Sequence, residues 1–248
     1  MKRAHHLQVA QGEVGEYVIL PGDPGRCQLI ARHFEGPKLV ASNREFVTYT
    51  GKHSGLSVSV VSTGMGCPSA AIALEELIML GAKYFVRLGT TGALQKELKI
   101  REVIIANSAV RTDGTSLEYV PVEFPAIADI DVTLALEEAA KNKGIQPHLG
   151  TIWSHDAFYK GSVFADPDFL ERERWLIDAG VLSVENESSA LFVIGYLRKV
   201  KVGTILTVVA NHHTREVISD EQSLRPIFDL MTEICLDAFY RLRISGRV

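Results

Sequence analysis

Four places in the sequence set arginines or carboxylates beside turn residues: Gly22 with Arg26, Arg44 with Glu45, Arg87 with Thr90, and Glu185 with Glu187. Guanidinium groups bind oxyanions bidentately, and each charge-assisted hydrogen bond contributes roughly 1.5–3 kcal/mol. Three arginines close to glycine turns, where backbone N–H groups are free, therefore suit a phosphate or a similar small anion. A carboxylate such as Glu187 suits the vicinal hydroxyls of a sugar. Phosphate plus ribose is the ligand chemistry these residue types describe together.

Among the four, the stretch Phe85-Val86-Arg87-Leu88-Gly89-Thr90-Thr91-Gly92-Ala93 is the most informative. An apolar run with one cation reads as a strand buried on both faces, and the glycines and threonines after it read as a turn whose backbone a ligand can approach closely. Open α/β sheets place ligands at such strand ends. The stretch alone serves equally well as a strand-to-loop turn whose arginine meets a structural carboxylate.

The elements that must position these residues alternate between strand and helix. Glu16 to Leu20 reads as a first strand, and Pro21-Gly22-Asp23-Pro24-Gly25-Arg26 as a dense turn before a helix from Cys27 to His33; a strand–turn–helix of this kind aims N–H groups and a helix dipole at one spot. The segment Val40 to Phe46 leads into a hairpin of two strands, Val47 to Thr50 and Leu56 to Thr63, joined around Lys52 to Gly55. Gly64-Met65-Gly66 is a second glycine turn, and Pro68 opens a helix that Gly81 ends. Further strands are expected over 102–111, 147–154, 181–185 and 202–210, and helices over 131–143, 166–178 and 188–197. Thr115 to Asp129, rich in proline and aromatics without periodicity, reads as a long ordered loop. Ser219 with Gln222 resembles a capping box before a final amphipathic helix whose Pro226 could kink it. The pattern describes an α/β fold, a single domain over residues 1–248 with one central sheet, largely parallel but mixed, flanked by helices.

Composition narrows the function classes. A net charge of −4, with arginines scattered along the chain, offers no footprint for nucleic acid, and the apolar stretches are too short to span a bilayer. The segment Met1 to His6 is positively charged with no apolar run behind it, unlike a secretory signal, so a cytoplasmic protein is expected. Three cysteines, Cys27, Cys67 and Cys235, have neither pairing nor metal-ligand spacing and are expected as reduced thiols. His212 and His213 point different ways as neighbours, with no evident third ligand, so a metal there is not expected.

Several motifs in order then resemble one family. Pro-Gly-Asp-Pro-Gly-Arg at 21–26, Asn-Arg-Glu-Phe at 43–46, Arg-Leu-Gly-Thr-Thr-Gly-Ala at 87–93, the segment from Val110 to Asp129, Ser-His-Asp-Ala-Phe-Tyr at 154–159 and Val-Glu-Asn-Glu-Ser-Ser-Ala-Leu-Phe at 184–192 are similar to the hexameric nucleoside phosphorylases, uridine phosphorylase branch. The resemblance covers nearly the whole chain. It implies phosphorolysis, in which inorganic phosphate attacks the anomeric carbon of a nucleoside and releases the base and ribose 1-phosphate, with no cofactor and no metal. It implies phosphate held by Gly22, Arg26, Arg87 and Thr90, joined by Arg44 of a neighbouring subunit. It implies ribose contacts from Thr90, Asn186 and Glu187, with His6 reaching in from that neighbour, and a base site at Phe158, Thr91 and Gly92. Arg87, Glu187 and Asn211 are the catalytic candidates. Glu45, Met65 and Ser69 match positions that hold a monovalent cation between subunits in some relatives. A homo-oligomer follows, a hexamer built as a trimer of dimers.

Three features depart from the family pattern. Asn186 stands where methionine packs on the ribose. Lys160-Gly161-Ser162-Val163-Phe164 lacks the glutamine and arginine that read uracil. Asn211 stands where purine-specific relatives carry an aspartic acid, and an amide can donate a hydrogen bond without acting as a general acid; Arg215, His212 and His213 are the other residues placed to meet a base. Uridine is the favoured substrate. A purine nucleoside or methylthioadenosine phosphorylase and an inactive nucleoside-binding relative are the alternatives, while the arginine set argues against a nucleosidase, which uses water.

Overall fold

The computed structural model describes residues 3–218 and 220–246. Among these residues ten strands and seven α-helices follow one another as β1 (Tyr17–Leu20), α1 (Pro24–Ala31), β2 (Glu35–Asn43), β3 (Phe46–His53), β4 (Leu56–Val61), α2 (Cys67–Met79), β5 (Tyr84–Ala93), β6 (Val103–Arg111), α3 (Gly114–Tyr119), β7 (Ala126–Ile127), α4 (Ile130–Asn142), β8 (His148–Ser154), α5 (Pro167–Asp178), β9 (Ser183–Glu185), α6 (Ser188–Arg198), β10 (Lys201–Asn211) and α7 (Arg225–Ile244). All ten strands join one sheet, in the order β10-β6-β8-β9-β5-β1-β4-β3-β2 with β7 beside β6. A further pairing of β10 with β5 closes part of it into a ring. Of the ten pairings between these strands, five are parallel and five antiparallel, so the sheet is evenly mixed rather than largely parallel.

Helices cover both faces. On one, α1, α4 and α7 pack on Tyr17, Ile19, Tyr84, Val86, Leu88 and Ile205. On the other, α2 and α6 pack on Val18, Leu20, Phe85 and Leu206. Successive strand residues point to opposite faces, which puts Arg87, in step with Phe85, on the side of α2 and α6.

The structure redraws several of the expected elements. No turn follows Leu88: β5 runs on through Ala93, paired with β10 as far as Asn211. The loop expected from Thr115 to Asp129 contains α3 and β7, and Arg111 organises it by donating to Ser116 Oγ at 3.0 Å, Ser116 O at 2.8 Å and Pro121 O at 2.8 Å. Periodicity fails there because one side chain, not a repeating apolar face, holds the segment. Residues 35–43 form a full strand, and the first helix begins at Pro24 rather than Cys27, capped by the Asp23 carboxylate on the Gly25 N–H. Ser219 lies outside the described residues, and the Asp220 side chain accepts from Gln222 N in front of the last helix. Pro226 occupies the first turn of α7, where its missing N–H costs nothing, so it opens the helix instead of kinking it. No helix among the described residues is long and apolar enough to cross a membrane.

Candidate active site

Arg87 lies mid-sheet, with Leu20 of β1 opposite on one side and Thr204 of β10 on the other. Its guanidinium meets two carboxylates: Nε donates to Glu185 Oε2 at 2.9 Å, and Nη2 bonds to Glu187 Oε2. All three residues are 4% exposed. Nη1 is buried and has no hydrogen-bond partner among the described residues. The structural-carboxylate reading of Arg87 is thus realised at two nitrogens, and the third remains a charged donor with nothing to bind.

The two glutamates, one residue apart in sequence and similar in character, do different work. Glu185 accepts from Ser154 Oγ at 2.5 Å, Glu187 N at 3.1 Å, Ser188 N at 3.0 Å and Ser188 Oγ at 3.0 Å. It closes the N-terminus of α6, whose first N–H groups have no partner within the helix, and its oxygens are used up in doing so. Glu187 accepts from Gly66 N at 2.7 Å and from Arg87, with fewer donors around it. Burial pushes the Glu187 carboxyl above its ordinary range, Arg87 pulls it back, and the charge of Glu185 adds to the rise. Burial likewise opposes the charge on Arg87, but Glu187 and Glu185 outweigh it and raise the guanidinium further. Gly66, at φ +88°, is in the left-handed region that glycine occupies without strain, and this turns its N–H toward Glu187.

The two glycine turns flank this cluster. Thr63 N donates to Pro21 O at 2.9 Å, and a methyl group on Gly22 would lie 3.3 Å from Gly64 O, so the turns after β1 and β4 touch. Arg26, in the first turn of α1, stacks on Phe228 at 4.3 Å with its Nε 4.0 Å from the Asp23 carboxylate. Along β5, a methyl on Gly89 would lie 3.0 Å from Arg87 Nη2, so the side chain reaches forward over a residue that has none. Thr90 is half-buried, and Thr91 Oγ1 donates to Val184 O at 2.7 Å.

His6 and Arg44 lie together. Arg44, at φ +53°, is in the two-residue turn between paired Asn43 and Phe46, and Asn43 Nδ2 donates to His6 O at 2.7 Å. His6 is held on α2 by Glu76, through Nδ1 at 2.8 Å and its backbone N–H at 2.9 Å. No hydrogen bond or ion pair among the described residues joins either one to the Arg87 cluster. Beside them, Ser69 Oγ donates to Glu45 Oε1 at 2.9 Å, and the two offer a hydroxyl and a carboxylate oxygen to a cation; the Met65 side chain is exposed. No group of three or more His, Cys, Asp or Glu among the described residues could hold a metal ion.

Phe158, the candidate for the base, is 68% exposed and packs edge-on against Tyr159 at 5.0 Å. The Asn186 amide donates to His155 O, which answers its need for a partner near Glu187. Asn211 is committed at both ends: Nδ2 donates to Leu98 O at 2.8 Å and Oδ1 accepts from His213 N at 2.8 Å. Its amide ties the end of β10 to the loop after β5 and has no donor left for a base. Asp113, Ser154 and His155 lie in motifs of the sequence that assign them no role. Asp113, fully buried, accepts from Ser116 N at 2.6 Å and Ser189 Oγ at 2.5 Å and so locks α3 to α6. The three cysteines are fully buried, and burial pushes the Cys27 thiol up to about 12 and raises the other two.

A cavity of about 560 Å³ lies elsewhere, lined by His33, His53, Lys143, Glu233 and Tyr240. It is open and mixed in charge, and no residue of the Arg87 cluster borders it. A groove of about 340 Å³ runs beside His6, Pro68 and Tyr119.

The chain is similar to known proteins over most of its length. The family model described as the phosphorylase superfamily matches residues 16–237. A uridine phosphorylase of Treponema pallidum is 46% identical over 215 residues, covering 85% of this chain and 83% of its own. A guanosine phosphorylase of Halorubrum lacusprofundi is 39% identical over 211 residues, covering 85% of each. Among solved structures, the uridine phosphorylase of Vibrio fischeri superposes with a TM-score of 0.89 at 30% identity, over 97% of this chain and 98% of that one.

Proposed function

Because the chain belongs to the phosphorylase superfamily, we propose that it is a cytoplasmic pentosyltransferase that cleaves a nucleoside, uridine in preference, with inorganic phosphate, giving the free base and ribose 1-phosphate. The observation that carries this reading is Arg87 Nη1, a buried cationic donor without a partner among the described residues, on a guanidinium that two buried carboxylates hold still. A phosphate oxygen answers that donor. In this reading Gly22, Arg26 and Thr90 hold the same phosphate from the same chain.

Breaking the glycosidic bond places positive charge on the sugar and negative charge on the departing base. A phosphate dianion fixed beneath the ring is both the nucleophile and the charge that stabilises the sugar cation. Arg87 orients it, and pairing with Glu185 and Glu187 keeps the arginine from neutralising the nucleophile. Glu187, the less saturated carboxylate, takes the 2′ and 3′ hydroxyls, with Asn186 beside it. No covalent enzyme intermediate, cofactor or metal enters these steps; Glu45 and Ser69 offer a place for a monovalent cation outside them.

His6 and Arg44 share a surface patch apart from the cluster, which supports their serving the site of a neighbouring copy in a homo-oligomer, a hexamer of three dimers. Mixing two variants tests this: Arg44→Ala and Arg87→Ala, each inactive alone, regain activity when co-assembled, because one site in a hybrid dimer keeps both arginines. No recovery on co-assembly rules out a shared site.

Substrate is tested by measuring base release from uridine, thymidine, inosine, guanosine, adenosine and methylthioadenosine with and without phosphate. Acceleration by phosphate with uridine in the lead is expected, and no acceleration with any nucleoside overturns phosphorolysis in favour of a nucleoside-binding protein. The second reading, a purine nucleoside, is favoured by the segment Lys160 to Phe164, which carries no amide or guanidinium to read uracil, and by the similarity to a guanosine phosphorylase.

A further inference from the structure

Beyond Gly92 the base side holds an unassigned pair, His212 and Glu173. His212 Nδ1 lies 2.9 Å from Glu173 Oε1, and its backbone N–H donates to Ala93 O at 3.1 Å. Its other ring nitrogen, Nε2, faces β5: a methyl on Gly92 would lie 2.9 Å from it, so only glycine leaves room for the ring. Glu173 is presented by α5, which is itself anchored by Phe169 against Trp153 at 5.0 Å and by buried Leu176, one helical face carrying all three. The pairing of β10 with β5 slips by one residue between Val208 and Ala210. A bulge re-aims the residues after it and is over-represented next to active sites.

Resting on the phosphorolysis reading, we propose that His212 is the general acid for the departing nucleobase and that Glu173 is its positioning residue. The Arg87 guanidinium lies beside Gly89, and Gly92 is three residues further along β5, about 10 Å at the strand rise. Thr90, the candidate for phosphate and ribose, shares the face of β5 that Gly92 presents to His212, two residues and about 7 Å away at the strand rise. Asn211, the neighbouring candidate, has its amide committed. Glu173 accepts the Nδ1 proton, fixing the ring so that a second proton sits on Nε2. As the phosphate oxygen bonds to the anomeric carbon and the C–N bond breaks, its electron pair goes to the base, and the Nε2 proton passes to a nitrogen or carbonyl oxygen of that base. The base leaves neutral, and the imidazole takes a proton back from water.

The groups facing His212 are Glu173 from α5 and His155 from the end of β8, with Asp156 beside the latter. Gly92 is the contact from β5, and His213, Arg215 and Glu216 follow on its own segment. Of these, His213 is bound to Leu94 O at 2.8 Å and Glu216 to Thr214 Oγ1 at 3.2 Å. His155 Nδ1 is buried without a partner among the described residues, and it belongs to the same cluster.

The test is steady-state kinetics of wild type, His212→Gln and Glu173→Gln across pH, using the nucleoside that wild type cleaves and an analogue whose base departs without a proton, uridine with 5-nitrouridine or guanosine with 7-methylguanosine. Positioned proton transfer contributes about 10²–10⁴-fold. His212→Gln is therefore expected to lower kcat/KM at least a hundredfold on the natural base and less than tenfold on the analogue, and to lose the fall in rate toward high pH. Glu173→Gln is expected to lose about tenfold and to move that fall to lower pH. Equal losses on both members of the pair, or an unchanged pH profile, overturn the role of His212 while leaving phosphorolysis standing. A wild type that phosphate does not accelerate removes both readings. The His212 side chain is 39% exposed, so its variant keeps the fold, which a thermal melt checks.

Discussion

The Arg87 cluster and the loop of residues 156–166 carry the residues proposed for the two ends of the substrate, and they are built in opposite ways. Arg87, Glu185 and Glu187 come from the middle of the sheet and the head of α6, and nearly every polar atom among them is fixed by another. The loop is held by its own backbone turns, Lys160 N to Ala157 O at 2.9 Å and Val163 N to Tyr159 O at 3.0 Å, while Phe158, Tyr159, Val163 and Phe164 stand exposed. The difference teaches where each part of the activity can change. The chemistry is bound to folding, because altering it leaves buried charge uncompensated. In the proposed reading, the choice of base falls to side chains that the fold does not need.

The largest effect that tests this contrast is Arg87→Ala. It leaves two carboxylates buried without their cation, and breaking a buried pair in this way costs about 3–5 kcal/mol. Activity is expected to fall to background and the denaturation midpoint to drop sharply. The double variant Arg87→Met with Glu187→Gln is expected to regain part of the stability and none of the activity, a coupling that a double-mutant cycle measures. If Arg87→Ala alone unfolds at the wild-type denaturant concentration, the cluster is not bound to folding and the contrast collapses.

Phe158→Ala probes the other end. An exposed side chain away from the core changes stability by at most about 0.5 kcal/mol, whereas a stacked aromatic contact contributes about 0.5–1.5 kcal/mol. KM for the nucleoside is expected to rise severalfold with the melting temperature unmoved. A shift in melting temperature comparable to that of Arg87→Ala shows that the loop, too, is structural.

The same contrast explains what could be read from the sequence. The α/β alternation and most helices were legible because apolar periodicity reports burial, and the cluster residues were legible because charge inside an apolar run must be answered. The strand-to-turn break after Leu88 was misread: Gly89 and Gly92 signal space for the Arg87 guanidinium and the His212 ring, not a change of direction, and a single chain does not say which neighbour fills the space. Glu185 and Glu187 look alike in sequence, and only the serine and backbone donors around Glu185 separate the structural carboxylate from the available one. Asp113 and Arg111 escaped notice because their partners, Ser189 and the carbonyls up to Phe124, are distant in sequence or belong to the backbone. The half-antiparallel sheet was hidden for the same reason, since pairing is decided between segments far apart in the chain.

The smallest predicted effect lies between the two regions, at His155. Its ring stacks on Trp153 at 4.6 Å and meets Phe169 at 5.2 Å, and its backbone serves the cluster by donating to Glu185 O at 3.2 Å. Burial holds the imidazole below its ordinary 6.5, with Asp156 and Glu173 opposing the shift. In the unfolded chain the same histidine takes up a proton near 6.5, so between the folded and unfolded values the unfolded state binds more protons and stability rises with pH. This contribution is complete above 6.5 and is lost as pH falls through the folded value. His155→Phe keeps the ring packing and both backbone bonds while removing the titration. It is expected to lose less stability than wild type when urea midpoints at pH 7 and pH 5 are compared, with little difference between the two proteins at pH 7. Parallel losses in both proteins would place the acid sensitivity in the carboxylates of the Arg87 cluster instead.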